Sequence, residues 1–116
     1  MATSITCMRH GEKPDKHGDE TGVDARGAPD PRGLTPRGWQ RAGALVRWIA
    51  PDTALDPEAV RPVPVPQAIF AAAPYAGSER ALQTMQPLAH LLGITVDIRF
   101  AGEDVEGLLK AAKSEE

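Results

Sequence analysis

The sequence has little cysteine and no long hydrophobic run. Cys7 is the single cysteine in 116 residues, so the chain alone cannot form a disulfide or a cysteine-based metal site. No stretch of about 18 apolar residues occurs, and the first five residues lack the charged start and apolar centre of a signal peptide. These absences predict a protein of a reducing cytoplasm with no membrane segment, and Cys7 is expected to pack in the core.

Aromatic residues are also scarce, and acidic residues outnumber basic ones. The net charge is -3, which does not favour broad nucleic-acid binding, and aromatic residues make up 4% of the chain. The composition is otherwise ordinary for a soluble protein, at 41% hydrophobic and 25% charged, and the length suits a single domain over residues 1–116. No glycine pattern for nucleotides, metal cluster or cofactor motif occurs, so no cofactor and no metal is expected.

Two segments lack the apolar periodicity of regular structure. Residues 14–33 are dense in Gly, Pro and Asp, which favours a long polar loop. Residues 51–66 contain five prolines, which disfavour helix and central strand and favour an extended connection within the domain.

Strands and helices are predicted to alternate along the rest of the chain. Thr35 is a good N-cap for a helix that begins at Pro36 and stops at Pro51, and Ser78 and Gly93 are plausible caps of a second helix. The other predicted elements are strands over 3–9, 67–73 and 94–100 and a last helix over 103–113. This order predicts a three-layer α/β/α fold with a mainly parallel sheet.

The first predicted strand ends at Arg9, His10 and Gly11. In a parallel sheet the loops that follow the strands meet at one edge, which is where open α/β folds bind ligands. We therefore expect Arg9 and Arg80 to converge on one phosphate with His10 between them, because guanidinium groups suit phosphate and imidazole is a nucleophile near neutral pH. The helix start next to Arg80 adds free backbone N–H groups that favour an anion.

Three blocks of sequence carry a family resemblance. They are RHGE at residues 9–12, LTPRGWQRA at 34–42 and SERALQT at 78–84. In this order and at these distances they resemble the histidine phosphatase superfamily, also called the phosphoglycerate mutase-like family. The three blocks together span most of the chain.

The resemblance implies a hydrolase that transfers a phosphoryl group through a phosphohistidine on His10. Arg9 and Arg80 would bind the phosphate, Gly11 would let the backbone turn next to it, and Ser78 at the helix start would join the substrate site. The implied substrate is a phosphorylated small molecule or a phosphoprotein.

The family also carries a second pocket histidine on a later strand, and no matching segment follows here. The other histidines are His17, in the polar loop, and His90, in the second helix. The chain is therefore expected to be a fragment, a truncated product incomplete at its C-terminal end, or a homo-oligomer that completes its sheet, with little activity by itself. The alternative function is a non-catalytic phosphate-binding or interaction domain.

A proton donor to the leaving group is the least specified role. Glu103, Asp104 and Glu106 follow the third predicted strand, and Glu103 is our choice among them. The alternative for this acidic group is simple stabilisation of the start of the last helix.

Overall fold

The chain folds around three helices. The computed structural model describes residues 4–14, 20–52 and 54–114, in which the helices are α1 (Pro36–Ile49), α2 (Arg80–Leu92) and α3 (Val105–Ser114). Within these ranges no strand of a sheet is formed, and extended segments are joined only by isolated β-bridges. The predicted three-layer α/β/α fold is therefore wrong, as are the wider α/β class and the phosphoglycerate mutase-like sheet, incomplete or otherwise.

Helix α1 forms as its local signals predict. Thr35 is the N-cap, and its Oγ1 accepts a hydrogen bond from the backbone N–H of Gly38 at 3.1 Å. Pro36 suits the first turn because it needs no hydrogen-bond donor there. The helix ends at Ile49, just ahead of Pro51, so the predicted bounds are confirmed.

Helix α2 begins at Arg80, one residue later than the predicted N-cap Ser78 implies. Glu79 occupies the N-cap without a side-chain hydrogen bond, and Ser78 Oγ accepts from the Arg80 N–H at 3.2 Å. Gly93 is the C-cap, as predicted, with a φ of +68° in the left-handed region that favours glycine. The helix contains Pro87 and still continues to Leu92.

The core lies between α1, α2 and the extended residue Ile69. Ile49, Ile69, Leu88 and Ala89 are buried together. Partly buried apolar side chains pack around them: Leu45, Val46, Ala50, Val63, Met85, Leu92, Ile94 and Val96. Burial of this cluster holds the two longer helices against each other.

The second and third predicted strands run side by side without forming a sheet. A parallel bridge joins Phe70 to Asp97, and the Ala71 N–H donates to Asp97 O at 3.0 Å. The Ala73 N–H donates to Phe100 O at 2.8 Å. Each segment is short and bounded by turns, so the parallel contact stops after these few bonds.

The first predicted strand is not formed in the described part of its range. Residues 4–10 are exposed, and no backbone–backbone hydrogen bond joins them to the rest of the described chain. An extended segment needs a neighbour to pair its N–H and C=O groups, and the described residues supply none to 4–10. Cys7 is exposed as a result, so its predicted burial is wrong.

Helix α3 begins two residues after its predicted start. The Oδ1 of Asp104 accepts from the Gly107 N–H at 3.0 Å, so the acidic group at this end does cap the helix. Ala112 is its buried residue. None of the helices in the described ranges is long and apolar enough to cross a membrane.

The two segments predicted to lack regular structure contain neither helix nor strand where they are described. In the first of them an antiparallel bridge joins Val23 to Pro29, and Asp24 Oδ1 accepts from the N–H groups of Arg26 and Ala28. Over residues 20–33 the polar loop is therefore built from tight turns.

Candidate functional site

The three sequence blocks contact one another. The Gly11 N–H donates to Thr84 Oγ1 at 2.9 Å, which joins the first block to the third. The Thr35 N–H donates to Glu12 O at 3.0 Å and joins the first block to the second. A third bond, from the Leu34 N–H to Gln83 Oε1 at 2.9 Å, links the second and third blocks. We call the region formed by residues 9–13, 33–38 and 79–84 the junction.

Close backbone packing at the junction requires two glycines. A Cβ atom on Gly38 would lie 2.7 Å from Glu12 O, and one on Gly11 would lie 3.0 Å from Gly38 O. The φ of Gly11 is not in the left-handed region, so close approach rather than an unusual turn explains the glycine. The backbone that carries His10 therefore rests directly on the first turn of α1.

Two buried polar residues of α2 hold the junction together. Thr84 is 2% exposed; its hydroxyl donates to Arg80 O at 2.7 Å while accepting the bond from Gly11. Gln83 is 4% exposed, and its Nε2 donates to Glu79 Oε1 at 2.9 Å. The sequence analysis did not include Gln83 and Thr84 in the site. Two adjacent polar residues within the apolar pattern of a helix were a usable signal, because polar groups that become buried need hydrogen-bond partners.

Arg80 bridges the loops that precede α1 and α2. Its Nη1 donates to the carbonyls of Pro31 at 3.2 Å and Gly33 at 3.4 Å, and its Nη2 donates to Gly77 O at 3.3 Å. Its Nε is buried and has no hydrogen-bond partner among the described residues. One N–H of the guanidinium is thus both shielded from water and unused.

His10 is exposed and is oriented by its neighbour. Its Nδ1 lies 2.7 Å from Gly11 O. A carbonyl oxygen only accepts, so Nδ1 carries the proton of the neutral ring and Nε2 keeps a free lone pair. Arg9 is also exposed, and in the described chain no hydrogen bond joins Arg9 or His10 to the guanidinium of Arg80.

Glu12 links the first block to α1 by an ion pair. Its Oε1 accepts from Arg41 Nε at 2.5 Å, while its Oε2 is buried and unpartnered within the described residues. Burial acts to raise the pKa of Glu12, but the Arg41 hydrogen bond, the Glu12 backbone N–H and the charges of Arg41 and Arg37 outweigh it. The net effect holds the pKa of Glu12 below its usual value.

The remaining predicted residues lie in different surroundings. Ser78 is half-buried and uses its Oγ at the start of α2, beside Arg80. Glu103 is exposed in the turn before α3, and no bond in the described structure connects it to the junction. His90 is exposed in the last turn of α2, and His17 lies outside the described residues.

Comparisons with protein-family models, curated proteins and solved structures give no match. The resemblance of the three blocks to the histidine phosphatase superfamily stays a prediction.

Proposed function

We propose that the junction binds a phosphoryl group and that His10 accepts it as a phosphohistidine. The observation that carries the proposal is the bond from the Gly11 N–H to Thr84 Oγ1, because the same hydroxyl is bonded to Arg80 O. The backbone next to His10 is thereby tied to the turn of α2 that carries Arg80. A nucleophile and a cation suited to phosphate come from segments in direct contact.

The electrostatics of the two helix starts support an anionic ligand. Both α1 and α2 begin at the junction, and neither has an acidic residue in its first turn. Each helix start carries a partial positive charge from its free N–H groups. Glu79, at the N-cap of α2, is engaged by Arg32 at 3.8 Å and by Gln83 at 2.9 Å.

Arg80 supplies a guanidinium group in which one N–H has no acceptor among the described residues. Its buried Nε–H has no partner among the described residues, and a phosphate oxygen is a suitable acceptor for it. A charge-assisted hydrogen bond is stronger where water is excluded. Arg9, exposed beside His10, would neutralise a second phosphate oxygen.

The chemical step uses the free lone pair on His10 Nε2. Nε2 attacks phosphorus as the bond from phosphorus to the leaving oxygen breaks, and that oxygen keeps the electron pair and takes a proton. Water then cleaves the P–N bond, which releases inorganic phosphate and restores His10. Glu103 stays the sequence-based prediction for the proton donor.

Trapping of the phosphorylated chain tests the proposal. The full chain is incubated with a small acyl phosphate or aryl phosphate, and the product is checked by intact mass and peptide mapping. We expect one phosphoryl group on wild type and on the control His90→Asn, and none on His10→Asn, with a label that is stable to base and labile to acid. A label that persists in His10→Asn, or its absence from wild type, contradicts the phosphohistidine step.

A second candidate function is phosphate binding without transfer. The chain has three histidines, and His90 is exposed at the far end of α2. No second imidazole of the described residues stands beside His10, which favours binding without transfer. In this case the junction binds inorganic phosphate, Arg80→Gln weakens that binding, and no label forms on His10. Calorimetric titration with phosphate, run beside the trapping experiment, distinguishes the two functions.

A further inference from the structure

We propose that residues 4–10 of one chain bind in a groove at the end of α1 on a second copy of the chain. The groove is a cavity of about 460 Å³, and the residues that matter for its binding are Trp48, Leu55, Asp56 and Val60. It lies at the opposite end of α1 from the junction. The proposal is independent of the phosphoryl chemistry of the junction.

Large apolar side chains of the groove are open to solvent. Trp48 is 53% exposed, Leu55 81% and Val60 84%. Among the described residues, Leu55 and Val60 are the two most exposed large hydrophobic side chains, and both line this one cavity. Exposed apolar side chains that are grouped in this way are typical of an interaction surface.

Turns fix the outer wall of the groove before a partner binds. Asp52 Oδ1 accepts from the Ala54 N–H at 3.0 Å, and Asp56 Oδ1 accepts from the Glu58 N–H at 3.2 Å. The Leu55 N–H donates to Asp52 O at 3.1 Å. Binding therefore requires little further ordering of this wall, which lowers its entropic cost.

Residues 4–10 have apolar side chains that match the groove. Ile5 is 42% exposed and Met8 41%, and no backbone–backbone hydrogen bond joins the segment to the rest of the described chain. In the polyproline II conformation, which has three residues per turn, Ile5 and Met8 lie on one face about 9 Å apart. Both side chains can then enter the same groove.

The charges of the groove favour a basic segment. Asp52 is paired with Arg47 at 3.8 Å, whereas Asp56 has no ion pair among the described residues. Arg9 directly follows Met8 and likewise has no ion pair in that part of the chain. A free carboxylate beside an apolar groove is complementary to a segment in which a cation follows an apolar side chain.

The groove that receives the segment belongs to a second copy. Gly11 packs against Gly38 near the start of α1, and the 14 residues of α1 span roughly 21 Å. Met8 comes shortly before Gly11 in the sequence and reaches at most about 11 Å from it. It therefore does not extend to the groove at the other end of its own helix.

Disulfide trapping of the full chain tests the inference, because Cys7 is exposed within the segment and is the single cysteine. Val60→Cys adds a thiol to the groove, and Val105→Cys, at the exposed start of α3, is the matched control. After mild oxidation and peptide mapping, we expect about tenfold more intermolecular linkage of Cys7 to the thiol in the groove than to the control thiol, because binding raises the effective concentration. Equal yields in the two variants would overturn the inference.

Sedimentation of the reduced chain measures the same association without a crosslink. We expect the average mass of wild type to rise with concentration and Met8→Ser to weaken the association about tenfold. Asp56→Lys should weaken it about threefold, and Arg9→Glu in the same chain should restore it by reversing the ion pair. Ile98→Ser is the control, because Ile98 is an exposed apolar residue outside the groove. A monomeric wild type, or equal losses in Met8→Ser and Ile98→Ser, would overturn the inference and leave the proposed function untouched.

Discussion

At the residue scale, the junction depends on two glycines, which have no side chain, as well as on the side chains around them. Gly11 and Gly38 allow two backbone segments to touch, and Thr84 then joins the Gly11 N–H to Arg80 O. His10 is held next to this contact by its own Nδ1 bond to Gly11 O at 2.7 Å. The geometry of the proposed nucleophile therefore follows from small residues beside it.

Gly38→Ala is expected to destabilise the chain by about 1–3 kcal/mol, because the new Cβ would lie 2.7 Å from Glu12 O. Gly43→Ala is the matched control on α1, since a Cβ there meets nothing within 4 Å. It should raise the free energy of unfolding by about 0.5–1 kcal/mol through helix propensity. Urea denaturation of both variants checks the prediction, and equal effects would contradict the close packing of the first block on α1.

At the scale of elements, the helices could be predicted from the sequence and the strands could not. Thr35 with Pro36 and Gly93 are local signals that act within one turn, so the caps appear where expected. A strand depends on a distant partner, and Phe70 pairs with Asp97 only in an isolated bridge. The prediction that Cys7 is buried failed for the same reason, because it required a sheet that the described residues do not form.

The contact between the first block and α2 was predicted, but the fold from which it was predicted is wrong. The sequence predicted that residues 9–13 and Arg80 meet at a sheet edge, whereas Thr84 and Gly11 make this contact without a sheet. The Glu12–Arg41 pair could not be predicted, because charged residues on a helix usually face solvent. The residue types therefore indicated the chemistry proposed for the candidate site. The contacts that support the site could not be predicted from the sequence.

The link between the first block and α1 should make stability depend on pH. The pKa of Glu12 is lowered in the folded chain, so its contribution is present above its ordinary value of 4.5 and is lost as the pH falls through the folded value. Asp97 acts in the same direction, because its hydrogen bonds from Arg99 also lower its pKa. Glu12→Gln should therefore weaken the loss of stability below pH 4.5 without abolishing it.

Denaturant unfolding at several acidic pH values measures this dependence. Arg41→Gln serves as the second variant, because it removes the partner of Glu12. It should also reduce the slope of the free energy of unfolding against pH. If the free energy of unfolding depends on pH in Glu12→Gln as it does in wild type, the ion pair at the junction does not contribute to stability.

At the scale of the whole molecule, positive charge is concentrated where the chain segments meet. The chain as a whole is acidic, with a net charge of -3, yet both α1 and α2 begin at the junction with an arginine in the first turn. The segment that carries Arg9 and His10 is joined to the helical part chiefly through Gly11 and Glu12. Formation of a homo-oligomer stays a prediction at this scale.

The most direct test of the central claim is the position of the phosphoryl group on the imidazole of His10. Phosphorus and nitrogen NMR of the trapped chain distinguish phosphorylation of Nε2 from that of Nδ1. The Nδ1 bond to Gly11 O leaves Nε2 as the free nucleophile, so the label is expected on Nε2. A label on Nδ1, or on a residue other than His10, would contradict the account.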